Sequence, residues 1–239
     1  QLQTIDEYAF ANSSIENFTI PSQITEISEG AFNRCKKLQK FKTPSDSELR
    51  ILGEFAFAES TIESIEIPRH LIKINKSVFS DCKNLRNIKI PIDSELQIID
   101  ERAFYGSTIE SFTIPPRLIE LKKCWCKYSS NLKMIEVSPN NPCYKLYDDN
   151  IVIGKSSVEK EDYDVLVFCN RCVQNITIPS FIKHIGTCAF ELCNNLKSIE
   201  IPKDSQLLTI DEYAFANSSI ENFTIPSQIT EIREGAFNH

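Results

Sequence analysis

The sequence predicts a repeat solenoid. One parallel β-sheet of about nine short strands forms one face, turns and short 3₁₀ or helical segments form the other, and a small β insertion interrupts the array. Three observations carry this. Residues Gln1–Asn33 return at Gln206–Asn238, broken only by Gln3 against Leu208 and Ser28 against Arg233. An Ala-Phe pair (Val-Phe once) recurs as a ruler: Phe10, Phe32, Phe57, Phe79 and Phe104 are spaced 22, 25, 22 and 25 residues apart, and Phe190, Phe215 and Phe237 resume at 25 and 22. Each coil also ends in an alternating phrase such as Ile62-Glu-Ser-Ile-Glu-Ile-Pro68.

Alternation of β-branched and aromatic residues with polar ones reads as a half-buried strand, and the proline stops it. Such phrases start near Ile15, Leu38, Ile62, Leu85, Ile109, Leu132, Val173, Leu196 and Ile220. All run in the same direction along the chain, so the strands stack in parallel, about 4.8 Å apart. The Ile-x-x-x-Ala-Phe half has nearly helical spacing but room for about one turn. No coil can bury its own Leu, Ile and Phe; stacking merges them into one core. At Cys124-Trp125-Cys126 the ruler trio is replaced, and between Pro139 and Val173 the register is lost. Tyr144–Tyr147, Ile151–Ile153 and Val165–Phe168 read as short strands of an excursion mounted on the solenoid. The expected organisation is therefore coils over 1–139, the excursion over 140–172 and coils over 173–239, within one continuous solenoid.

Read as Ile-Pro-x-x-Ile-x-x-Ile-x-x-x-Ala-Phe-x-x-Cys-x-x-Leu, and nearly whole from Ile178 to Leu196, the unit resembles the BspA-like leucine-rich repeats of bacterial and protist surface proteins. The resemblance implies a right-handed solenoid, a cell-surface or extracellular setting, and protein-binding roles such as adhesion. It implies no catalytic residue.

Composition narrows the function classes. A net charge of −7 and a pI near 5.2 argue against nonspecific nucleic-acid binding. No apolar run reaches the roughly 20 residues that span a bilayer, so no membrane contact is expected of this segment. His70, His184 and His239 fall at unrelated repeat positions, and no Ser-His-Asp, HExxH or Gly-rich phosphate loop is present; no enzyme activity and no cofactor are expected. Cys35, Cys82 and Cys193 each lie three residues after the ruler Phe, with Ser129 in the matching slot. A recurring register means a recurring environment, a small buried side chain. Cysteines in this slot of successive long coils are roughly 10 Å apart, beyond disulfide reach. Cys124, Cys126, Cys143, Cys169, Cys172 and Cys188 gather around the excursion, where half a zinc site, one or two disulfides and independently packed thiols stay open as readings. Asn-x-Ser/Thr sequons open at Asn12, Asn17, Asn75, Asn175, Asn217 and Asn222, several inside the repeat phrase itself.

The candidate sites follow from the alternation. Residues between the apolar strand positions face solvent, giving a candidate protein-binding face of Lys40, Lys42, Glu63, Glu66, Arg86, Lys89, Glu110, Lys133 and Glu136. Acid and base alternate down the column that contains Glu63, Arg86 and Glu110, so neighbouring charges are placed to pair across strands. A second candidate is a knob on the excursion: Tyr144, Tyr147, Asp148 and Asp149. The expected partner is a host-surface or matrix protein. A structural spacer and an intracellular scaffold are the competing roles. Leu2 and Ile5 at one end and Ala236-Phe237 at the other lack polar caps, so end-to-end association and a longer parent array are further expectations.

Overall fold

The computed structural model describes residues 2–238. It resolves into two compact units, residues 1–132 with 140–142, and residues 133–139 with 143–239. Both are stacks of parallel coils, the predicted solenoid architecture. Gln1 and His239 lie outside the described residues.

In the first unit the strand phrases form a parallel ladder of Asn17–Thr19, Lys40–Lys42, Ser64–Glu66 and Asn87–Lys89, and the next coil supplies Ser111–Ile114. Burial alternates as the sequence demands: Phe41 and Ile65 point inward while Lys40, Lys42, Ser64 and Glu66 are exposed. A second parallel ladder was not foreseen. It joins the two-residue strands Thr4–Ile5, Glu26–Ile27, Ile51–Leu52, Lys73–Ile74, Ile98–Ile99 and Glu120–Leu121. Ile27, which opens the Ile-x-x-x-Ala-Phe half that suggested a helical turn, lies instead on one of these extended strands and, like Ile24 before it, is fully buried.

Among the described residues there is no helical turn, so the expected 3₁₀ or helical segments do not form. The reason lies in the backbone around each ruler Phe. The residues two before and two after it adopt positive φ: Tyr8 and Asn12 around Phe10, Phe55 and Glu59 around Phe57, Ser77 and Asp81 around Phe79. Left-handed residues interrupt a right-handed helix. They turn alternate N–H groups outward to the next coil, as in Tyr8 to Glu29 O, Phe10 to Ala31 O and Asn12 to Asn33 O at 2.8–3.0 Å. The intervening N–H groups close tight turns within the coil, such as Ala11 to Tyr8 O at 2.9 Å. The donors around each ruler Phe are thereby largely satisfied, which offsets the conformational strain.

The ruler rings form one column inside the first unit. Phe10, Phe32, Phe57, Phe79 and Phe104 stack at centroid separations of 5.0, 5.3, 5.7 and 5.2 Å, with interplanar angles of 3–14°. At the divergent trio Cys126 takes the ring slot, and Trp125 turns inward to meet Phe104 edge-on at 6.1 Å. The three-residues-later slot is buried as predicted, but it is also polar. Cys35 and Cys82 donate to the Phe10 and Phe57 carbonyls, each at 3.1 Å, and Ser129 donates to the Phe104 carbonyl at 2.6 Å.

In the second unit Tyr144–Tyr147, Ile151–Gly154 and Val165–Cys169 form an antiparallel meander. Its third strand then pairs in parallel with His184–Ile185, and the ladder continues through Thr209–Ile210 and Glu231–Ile232. Ile151, Ile153 and Leu166 share one core with Ile178, Phe190 and Phe215, so the excursion is packed into the stack. Met134–Val137, Asn175–Thr177 and Ser198–Glu200 are strands at their predicted positions. The phrase beginning at Ile220 has no strand assignment.

Candidate protein-binding face

The outward side chains of the first unit are held in columns by strand register. Asn17 lies beside Lys40, Lys40 beside Ser64 and Ser64 beside Asn87, while Glu66 lies beside Lys89. Parallel pairing fixes these neighbours, and the buried alternate residues fix which way they point. Lys89 Nζ meets Glu66 Oε1 at 2.9 Å, the one ion pair across this ladder among the described residues.

The column of alternating charge behaves otherwise. The backbones of Glu63, Arg86 and Glu110 are joined, Arg86 N–H to Glu63 O at 3.0 Å and Glu110 N–H to Arg86 O at 3.3 Å. Yet none of these three side chains makes an ion pair within 4 Å, so the expected pairing is absent. All three are exposed, where the Coulomb gain of a pair barely offsets the entropy of holding two long side chains. Lys40 and Lys42 are likewise exposed and without an ion pair. Several charges away from this face, by contrast, are paired. Glu59 receives Arg34 at 3.0 Å and Lys36 at 3.3 Å, and the Arg34 hydrogen bond first of all holds its carboxyl below the usual range. Lys83 meets Asp81 at 2.7 Å, and Lys73 and Lys122 meet Asp100 and Glu120. In the second unit Lys133, Met134 and Glu136 are exposed on their strand phrase.

The knob residues divide. Tyr144 is 8% exposed and does not belong to the surface. It packs over Gly154, where a Cβ would come within 3.0 Å of its ring, so the tyrosine anchors the hairpin instead. Tyr147 is half-buried and meets Phe181 edge-on at 5.6 Å. Only Asp148 and Asp149 project, on a turn with φ of 49° and 53°. Sequence reasoning missed a cluster at the turn edge of the first unit. Tyr105 and Tyr128 meet edge-on at 5.2 Å, with Arg102 5.8 Å from the Tyr105 ring and Lys127 5.1 Å from that of Tyr128. Comparing each position next to the ruler from coil to coil would have exposed these tyrosines as departures.

Residues 3–139 and 163–239 match the model of the BspA type leucine rich repeat region, in six copies. The chain belongs to this family. Among solved structures it is similar to the pneumococcal vaccine antigen PcpA, with a TM-score of 0.79 and 22% identity over 97% of this chain. The chain spans 64% of that one. It is also similar to a leucine rich cell surface protein of Faecalibacterium prausnitzii A2-165, with a TM-score of 0.72 and 21% identity, covering 99% of this chain and 74% of that one. A leucine-rich repeat protein of Eubacterium ventriosum gives a TM-score of 0.51 at 17% identity, covering 99% and 80%. At these identities the likeness is one of fold. No curated protein matches the chain. No helix among the described residues is long and apolar enough to cross a membrane.

Proposed function

We propose that this BspA-type repeat segment is a non-catalytic protein-binding module of a cell-surface protein, and that it holds its partner against the exposed strand face. One observation carries the choice of face: several charges on the turn side are paired within the fold, whereas on the strand face Lys40, Lys42, Glu63, Arg86 and Glu110 make no ion pair and, among the described residues, only Glu66 and Lys89 do. This leaves those five charges able to meet an external partner. The surface setting is supported by the family and by neighbours described as a cell surface protein and a vaccine antigen. Adhesion to a host-surface or matrix protein fits a polar face of this kind. Scattered charges bring weak, salt-sensitive contacts that gain strength by repetition.

The test is binding of the 239-residue polypeptide to whole cells and purified matrix proteins by biolayer interferometry. Lys40→Glu, Lys42→Glu and Arg86→Glu together are expected to weaken binding at least tenfold, and added salt should weaken the wild type. Asp148→Ala with Asp149→Gly probes the insertion turn. Substitution serves better than excision there, because Ile151 and Ile153 are core residues. Equal affinity of the wild type and the strand-face variant would reject the face. Loss confined to the Asp148 and Asp149 variant would move the site to the turn. Binding of the wild type to no cell or matrix protein would favour the spacer role. End-to-end association of this polypeptide is a separate proposal, resting on Ile225, Ile232 and Phe237 at 56%, 41% and 40% exposure. Light scattering across concentration tests it, and a constant monomer mass would reject it.

A further inference from the structure

Cys193 lies three residues after Phe190, in the slot that holds Cys35, Cys82 and Ser129 in the first unit. In those coils the slot's side chain reaches the residue in the ring slot one coil earlier: the Phe10, Phe57 and Phe104 carbonyls accept from it at 3.1, 3.1 and 2.6 Å. Before Phe190 the ring slot does not hold a phenylalanine. The strand Val165–Cys169 runs beside the coil of Phe190, with Val165 next to His184 and Leu166 next to Ile185. The Cys169 N–H donates to Ala189 O at 2.8 Å, just as Phe10 donates to Ala31 O at 2.8 Å and Phe57 to Val78 O at 3.0 Å. Cys169 therefore stands in the ring slot. The Cys193 side chain, in the slot that elsewhere reaches the ring-slot residue one coil earlier, thus lies against Cys169, whose own thiol donates to the Asn170 carbonyl at 3.6 Å. Both cysteines are at most 1% exposed and share one core. Ile151, which sits opposite Cys169 in the meander, lies in the same core.

We propose that Cys169 and Cys193 are a cross-linking site: they form a disulfide when the chain folds in an oxidising compartment, and so tie the last strand of the insertion to the coil that follows. The electrons pass by thiol–disulfide exchange. The thiolate of one cysteine attacks a sulfur of a small disulfide such as glutathione disulfide, forming a mixed disulfide and releasing one glutathione. The second cysteine displaces the other. One S–S bond is made between the cysteines, their two S–H protons leave, and two electrons reduce the oxidant to two thiols. The contact with Cys193 and burial both push the Cys169 thiol up, so little thiolate exists in the closed core. Exchange belongs to the folding chain, and the closed core then shields the bond from reductant. Cys35 and Cys82 face carbonyls rather than a second thiol and stay reduced.

The polypeptide is refolded with a glutathione and glutathione disulfide mixture, quenched, alkylated in denaturant, digested and mapped by mass spectrometry. The expected map joins the Cys169 and Cys193 peptides, lighter by two hydrogens, with Cys35 and Cys82 alkylated. Alkylation of both Cys169 and Cys193, or their linkage to other cysteines, would overturn the proposal. Cys193→Ser is the companion, since Ser129 already fills the same slot in another coil. Reductant should lower the wild-type Tm by on the order of 10 °C and leave that of Cys193→Ser unmoved. An equal fall in both would place any cross-link elsewhere and overturn the assignment.

Discussion

At the scale of single residues, the ring column and the buried polar groups set stability. Phe79 is fully buried between Phe57 and Phe104, so Phe79→Ala removes two ring contacts and leaves a cavity. A loss of about 3–5 kcal/mol is expected in urea melts. Lys42→Ala, on the exposed side of the strand ladder, should stay within about 0.5 kcal/mol. Equal losses would undo the inward and outward assignment. Asp164 contributes to the acid limb of stability. Its carboxylate, 2% exposed, accepts from Lys160 Nζ at 2.8 Å and from the Ser156 N–H and hydroxyl at 2.9 Å each. Burial pushes the carboxyl up, but the bonds from Lys160 and Ser156 outweigh it and hold it below its ordinary value. A lowered native value means this stabilisation is fully present above the ordinary carboxylate range and is lost as pH falls through the lowered value. Asp164→Asn should therefore flatten the acid limb of urea midpoint plotted against pH; a variant curve parallel to wild type would remove Asp164 from that role.

At the scale of the element, the strand phrases were legible because their alternation names both the buried and the exposed residue. Lys40-Phe41-Lys42 and Ser64-Ile65-Glu66 have the expected pattern. The turn half was not legible, because most of its left-handed positions carry residues such as Tyr8, Arg34, Phe55, Ser77 and Leu192, and glycine fills only a few of them, at Gly30, Gly106 and Gly235. Those conformations are imposed by hydrogen bonds to the next coil, which no single-coil pattern contains. The candidate face was readable as a surface, but the absence of pairing among Glu63, Arg86 and Glu110 depends on side-chain reach. Tyr144 was misplaced because an aromatic in an irregular stretch looks the same whether it anchors a hairpin or projects from it. The turn geometry makes its own prediction. Gly30 has φ of 59°, and a Cβ there would clash with the Tyr8 ring, so Gly30→Ala should destabilise by more than about 1 kcal/mol. Ser77 occupies the equivalent position with φ of 55°, and Ser77→Gly should be neutral or stabilising by up to about 1 kcal/mol. Thermal melts that reverse this order would reject the left-handed assignment.

At the scale of the whole molecule, burial belongs to the array rather than to the coil. Ile20, Ile27 and Phe32 are fully buried, whereas Ile225, Ile232 and Phe237, in a nearly identical stretch of sequence, are 56%, 41% and 40% exposed. The same residues become core only when another coil lies upon them, as in other repeat arrays, where stability is a sum of nearest-neighbour terms. Repetition also underlies the proposed division of roles: turn-side pairs such as Arg34 and Lys36 with Glu59 bind one coil to the next, and unpaired strand-face charges such as Lys40 and Arg86 are the proposed contacts for a partner. The most direct test of the proposed face is lysine footprinting with and without a matrix protein that interferometry identifies as a ligand. Acetylation of Lys40 and Lys42 should fall several-fold in the complex while Lys36, paired on the turn side with Glu59, keeps its rate. Undiminished acetylation of Lys40 and Lys42 in a complex that protects Lys36 or Lys127 instead would contradict the strand face as the binding surface.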